Sequence, residues 1–186
     1  MPPQILVAKT FFESKAELPV SEARRIDNFI QKMISNPANP GIGLERLTDE
    51  IAKLINAGTA PCQIALFSRT KRKRWWFEQE LRQRGIPFVM PDQPKQEGTG
   101  NDVFVSTMHG AKGLEFRYVF IVGCQQGDVP AKVAMDMAAD RAEKDAVFQR
   151  EKNLLYVSMT RAREQLYITW TGRRSEFLRE LACDRR

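Results

Sequence analysis

The sequence predicts an α/β fold, a mostly parallel sheet with helices on both faces, and three observations predict it. Short apolar runs recur at 64–67, 86–90, 103–105, 118–122 and 166–170, each of a length that suits a strand. Ile64-Ala65-Leu66-Phe67 is apolar at successive positions, the pattern of a strand buried on both faces. Segments with helical spacing lie between several of these runs, and strands alternating with helices imply parallel pairing.

Taken in order, Ile5-Leu6-Val7-Ala8 reads as a first strand. Ser21 then caps a helix on which Ile26, Phe29, Ile30, Met33 and Ile34 recur on one face. The prolines and glycines of 36–43 end that helix. A boundary near residue 45 follows, giving a strand–helix appendage over 1–47 and a main domain over 48–186. The main domain opens with a helix over 48–57, with Thr48 as cap, Ile51, Leu54 and Ile55 on one face, and Gly58 as stop.

After the strand at 64–67, a helix is expected over 71–84, closed by Gly85. Pro91 to Asn101 reads as a loop, and Gly123 to Pro130 as a turn-rich connection. Residues 131–149 are charged and alanine-rich, helical in part. A firmer helix from Arg150 carries Leu154, Leu155, Val157 and Met159 and ends around Arg161 and Arg163. A last strand at 166–170 and a terminal helix over 175–182 complete the chain.

With 186 residues the chain can bury a sizeable core. Lys and Arg total 29 against 23 Asp and Glu, and a pI near 9.4 favours a polyanionic partner once the charges cluster. Cys62, Cys124 and Cys183 are far apart and odd in number, which fits reduced thiols rather than a disulfide framework or a zinc site. No apolar run approaches the roughly 18 residues of a membrane span, and no signal-peptide pattern opens the sequence. A cytoplasmic protein without a membrane partner is expected.

Three clusters carry chemistry. The stretch from Ser106 to Phe116 places Thr107, His109, Lys112 and Glu115 between two apolar runs, which predicts a loop projecting from the end of the sheet, where ligands of open α/β sheets bind. Amides around Gly110 and Gly113 can approach a phosphate, Thr107, His109 and Lys112 can bond it, and Glu115 can accept from a sugar hydroxyl. The plainer reading is a tight connection with an exposed histidine.

Lys71-Arg72-Lys73-Arg74-Trp75-Trp76-Phe77 joins four cations to three aromatics at a helix start, where positive charge opposes the helix dipole. The cations suit phosphates and the aromatics suit exposed bases, although one or two of the rings must face the core. Arg161 and Arg163, at a helix end, either complement the dipole or, for Arg161, reach into a neighbouring site to neutralise charge on a transferred phosphoryl group. No Gly-x-x-x-x-Gly-Lys-Ser/Thr loop occurs, nor an apolar strand ending in paired carboxylates, so no metal site is expected and nucleotide chemistry needs a second domain.

The run from Val105 to Phe116 closely resembles motif V of the UvrD/Rep/PcrA-type superfamily 1 DNA helicases, and the run from Leu154 to Arg163 is similar to their motif VI. Ile64 to Thr70, with Leu81 and Gly85 to Phe88, resembles the strand–helix–strand between motifs, and Gly123, Gly127 and Pro130 fit the turn after motif V. The resemblance covers 48–172 and implies the second, RecA-like domain (2A) of such a motor. It implies that Glu115 and Gly113 lie near the nucleotide and that Thr107 and His109, with Lys112, lie near DNA. It further implies that Arg161 is an arginine finger toward the γ-phosphate and that the Arg69 region, with Lys71, Arg72, Lys73 and Arg74, lies along the single strand. ATP with Mg would be shared with a P-loop-bearing helicase domain acting in trans, and the partner would be single-stranded or partly duplex DNA. Lys71 stands where the family often has Asn, and Arg150 and Asn153 interrupt its usual Glu-Glu-Arg-Arg-Leu run. The first motor domain, the opening strand of domain 2A and the 2B insertion have no counterpart.

Residues 1–47 resemble, less specifically, the first half of RelE/ParE-type toxins, without the later basic strands, so no ribonuclease activity is expected. The implied function is a helicase 2A domain, inactive alone for lack of a P-loop. The alternative is a non-catalytic interaction or regulatory module built on a helicase remnant.

Overall fold

A computed structural model describes residues 40–92 and 99–178. The expected strand and helix within 1–39, and the later part of the expected terminal helix, lie outside the described residues.

Five strands form one parallel sheet: β1 (Ile64–Ser68), β2 (Phe88–Val89), β3 (Val103–Thr107), β4 (Phe116–Val122) and β5 (Ala162–Ile168), in the order β2-β3-β1-β4-β5. The central strand β1 is buried at every position, as its unbroken apolar run requires. The helices α1 (Pro40–Asn56), α2 (Lys71–Gln83), α3 (Lys132–Asp136) and α4 (Arg141–Met159) accompany it.

Right-handed crossovers put connections that move in opposite directions across the sheet on opposite faces. The β1-α2-β2 connection moves one way, whereas β3-to-β4 and β4-α4-β5 move the other, so α2 lies on one face and α4 on the other. Helix α1 joins α2, through Thr48 Oγ1 to Glu80 Oε1 at 3.4 Å and an ion pair between Arg84 and Asp49. The core between these layers includes Leu47, Ile51, Phe67, Leu81, Val105, Phe120, Leu155 and Leu166.

Several boundaries differ from the sequence reading. Helix α1 begins at Pro40, eight residues before the expected start, and crosses the expected boundary near residue 45. Proline suits the first turn, where its missing N–H has no intrahelical partner to lose. Thr48 is therefore buried in mid-helix and is not a cap. Helix α4 starts at Arg141 rather than Arg150, capped by Asp140, whose side chain accepts from the Glu143 amide. It ends at Met159, so Arg163 lies in β5, exposed, and does not serve the helix dipole. Pairing with β4 draws Ala162 and the polar Arg163-Glu164-Gln165 into the sheet despite weak strand propensity.

Candidate nucleic-acid and nucleotide interface

The 106–116 stretch does not project from the end of the sheet. It is the crossover itself. Ser68 pairs with Thr107 on one side and with Val122 on the other, so Thr107 lies level with the end of β4, six residues beyond Phe116. At about 3.3 Å per residue this separates its two ends by roughly 20 Å along the strands. The segment opens as a 3-10 turn, Met108–Ala111, with Met108 and Ala111 buried. It leaves by a second turn, in which the Leu114 amide donates to the Ala111 carbonyl at 3.4 Å and Gly113 takes φ 78°. The Ser158 hydroxyl of α4, which donates to the Leu154 carbonyl at 2.9 Å, also lies 3.4 Å from the Met108 carbonyl, where the crossover meets the helix above it.

The motif residues therefore divide between two edges. At the carboxyl edge, Thr107 ends β3 half-buried and His109 is exposed in the 3-10 turn. At the opposite edge Lys112, Gly113, Leu114 and Glu115 are exposed, and Arg161 stands over them. The Arg161 Nε donates to the Val157 carbonyl at 3.0 Å, its Nη1 to the Leu114 carbonyl at 3.2 Å, and its own carbonyl accepts from the Phe116 amide at 2.9 Å. The arginine thus both closes the end of α4 and holds the Gly113–Glu115 turn. It remains half-exposed, with guanidinium donors to spare.

The basic run on α2 also divides. Lys71 and Arg72 are exposed, Lys71 making only a 3.5 Å pair with Asp92. Lys73 and Arg74, also expected to contact nucleic acid, turn inward into ion pairs. Lys73 pairs with Asp128 of the turn after β4, and its stem packs against Gly123, where a Cβ would meet it at 2.8 Å. Arg74, 5% exposed, binds Asp92 Oδ1 at 2.6 Å. The helical period explains the division, since Arg74, Phe77 and Leu81 share the face toward the sheet. Burial raises the Asp92 carboxyl pKa, but the Arg74 hydrogen bond and the nearby Arg74 and Lys71 charges hold it below the ordinary value.

Arg69, expected along the single strand, is paired with α4. Its Nε and Nη2 grip Glu151 Oε2 and Oε1 at 2.8 and 2.6 Å, and Glu151 also accepts from the Ala131 amide at 3.0 Å. Burial pushes the Glu151 carboxyl up, yet these donors outweigh it and keep the pKa below the usual glutamate value. Sequence reasoning missed Glu151. The available signal was a carboxylate between Val147 and Leu155 at helical spacing, on the face that is otherwise buried. The departures at Arg150 and Asn153 fall on exposed positions of α4.

Fold and edges define a class: a parallel α/β domain with cations at the carboxyl edge and an arginine-held turn at the other. Residues 91–173 match the UvrD-like helicase C-terminal domain. The chain is 34% identical over 89 residues to a probable DNA helicase II homolog of Rickettsia conorii, covering 48% of this chain and 13% of that protein. It is 43% identical over 79 residues to the ATP-dependent DNA helicase PcrA of Staphylococcus aureus, covering 42% of this chain and 10% of that one. The chain thus spans about an eighth or less of the length of these relatives. Among solved structures, the C-terminal domain of a possible DNA helicase from Lactobacillus plantarum WCFS1 shares the fold, with TM-score 0.55 and 19% identity over 88% of this chain and 92% of that one.

Proposed function

We propose that this chain supplies the C-terminal half of a UvrD-like DNA helicase motor and completes an ATP site only against a domain that carries a P-loop. The observation that carries the reading is the grip of Arg161 on the Leu114 carbonyl, which fixes the arginine beside Gly113 and Glu115. These residues suit one side of a nucleotide: a guanidinium for phosphate charge and an exposed carboxylate for a ribose hydroxyl. The P-loop domain would hold ATP with Mg, which supplies the phosphoryl group to be cleaved; Arg161 neutralises charge there and Glu115 orients the sugar. At the other edge, Thr107 and His109, with Lys71 and Arg72 on α2, contact single-stranded or partly duplex DNA. Arg69, Lys73 and Arg74 shape that surface from within their ion pairs. The residues before α1 act as a separate module, in keeping with their resemblance to RelE/ParE-type toxins.

Mixed with the P-loop half of a UvrD-type helicase, the chain should yield DNA-stimulated ATP hydrolysis that neither part shows alone. Arg161→Ala should abolish it; undiminished turnover in that variant removes the arginine from the reaction.

A further inference from the structure

The two tryptophans of α2 have no part in the function proposed above. Trp75 is 49% exposed and Trp76 57%, with ring centroids 5.0 Å apart at an interplanar angle of 77°. Burying an aromatic side chain is strongly favourable, so two adjacent exposed indoles on an ordered helix call for an occupant. The core does not need them, because Arg74, Phe77 and Leu81 already form the inner face of α2.

Helical spacing aligns them with the exposed cations. Lys71 and Trp75, and likewise Arg72 and Trp76, are four residues apart and so neighbours on the helix surface. Each indole has a cation one turn away, toward the end of α2 that follows β1 at the carboxyl edge of the sheet. Alternating phosphate charge and flat bases match this pattern, whereas the centres of protein interfaces are depleted of lysine.

The geometry points to a base-stacking platform: Trp75 and Trp76 take unpaired bases of a single strand whose phosphates lie on Lys71 and Arg72. This inference rests on the DNA-contacting role proposed above and adds to it a subsite that reads base planes, not only charge.

The test uses the full chain with oligothymidylate, the same strand without bases, and a blunt duplex. Oligothymidylate should quench the exposed indoles, with buried Trp170 contributing an unchanged background. Trp75→Ala/Trp76→Ala should bind it at least about tenfold more weakly with the salt slope unchanged, as loss of stacking alone requires. The baseless strand and the duplex should bind the parent chain no better than the double variant binds oligothymidylate. Equal affinity of parent and double variant for oligothymidylate overturns the platform and leaves the DNA role standing. Failure of the parent chain to bind any of the three probes at low salt removes both. Retained circular dichroism of the variant, expected for surface positions, ensures that lost affinity reports the platform. Self-association of the parent chain that the double variant loses, without any effect on oligothymidylate affinity, assigns the surface to a protein partner and overturns the proposal.

Discussion

Arg69 and Glu151 meet in a two-pronged ion pair that joins the carboxyl end of β1 to the middle of α4, with both side chains withdrawn from water. Breaking one partner of a buried pair leaves the other uncompensated and costs about 3–5 kcal/mol. Glu151→Ala should lower the urea midpoint correspondingly, and Arg69→Ala should do much the same. A double variant less destabilised than the sum of the two would show the shared contact.

The same pair sets a pH dependence. The Glu151 carboxyl titrates below its unfolded value of about 4.3, so its contribution is full above that pH and is lost as the pH falls through the lower folded value. Glu151→Gln should flatten the acid limb of stability below about pH 5, to about pH-independence for this one group. Asp92, held down by Arg74, should leave a separate acid-sensitive part in that variant.

At Gly110 a methyl group would lie 2.2 Å from the Ser106 hydroxyl oxygen and 3.4 Å from its Cβ. Gly110→Ala must therefore rotate a hydroxyl on a buried residue, at about 1–3 kcal/mol for overpacking. Ser106→Ala removes the offending oxygen. Thermal melts of the two single variants and the double should show the second change rescuing the first; equal stability of Gly110→Ala and the parent would contradict the close approach.

The division of the basic run predicts two unlike outcomes from four similar substitutions. Lys71→Ala/Arg72→Ala should leave stability nearly unchanged and reduce the salt slope of single-strand binding by about 1.4, two phosphate contacts' worth. Arg74→Ala should destabilise the fold by strand-independent loss of the Asp92 pair, visible in a denaturant titration without DNA.

Cys124 is buried and its thiol is pushed up to about 12 by burial, while Cys62 is exposed. In a Cys183→Ser background, iodoacetamide at neutral pH should label one thiol, with Cys124 reacting only under denaturant. Mass spectrometry of the labelled peptides reads this directly.

How much of this was legible in the sequence depended on whether a feature is local. The strand β1 was plain, because burial on both faces leaves only apolar residues over 64–67. The runs at 105–116 and 154–163 stood out through their resemblance to helicase motifs, but the division of 107–115 between two edges of the sheet did not. The start of α1 was not, since Pro40, Gly41 and Gly43 break helices in their interior but are tolerated in the first turn. The first two turns of α4 show no apolar stripe because residues 141–146 are all exposed. The path of the 108–115 segment could not be read at all: it follows from β1 lying between β3 and β4, a pairing no residue in the segment specifies.

That path leaves the segment with almost no spare contour length. Eight residues, four of them in a 3-10 turn rising about 2 Å each, must cover roughly 20 Å along the strands and about 10 Å across two strand spacings. A tether so short behaves as a tie-rod. On the DNA role proposed above, a pull on His109 would find little slack in the segment that leads to Glu115 and Arg161, on the far side of the domain.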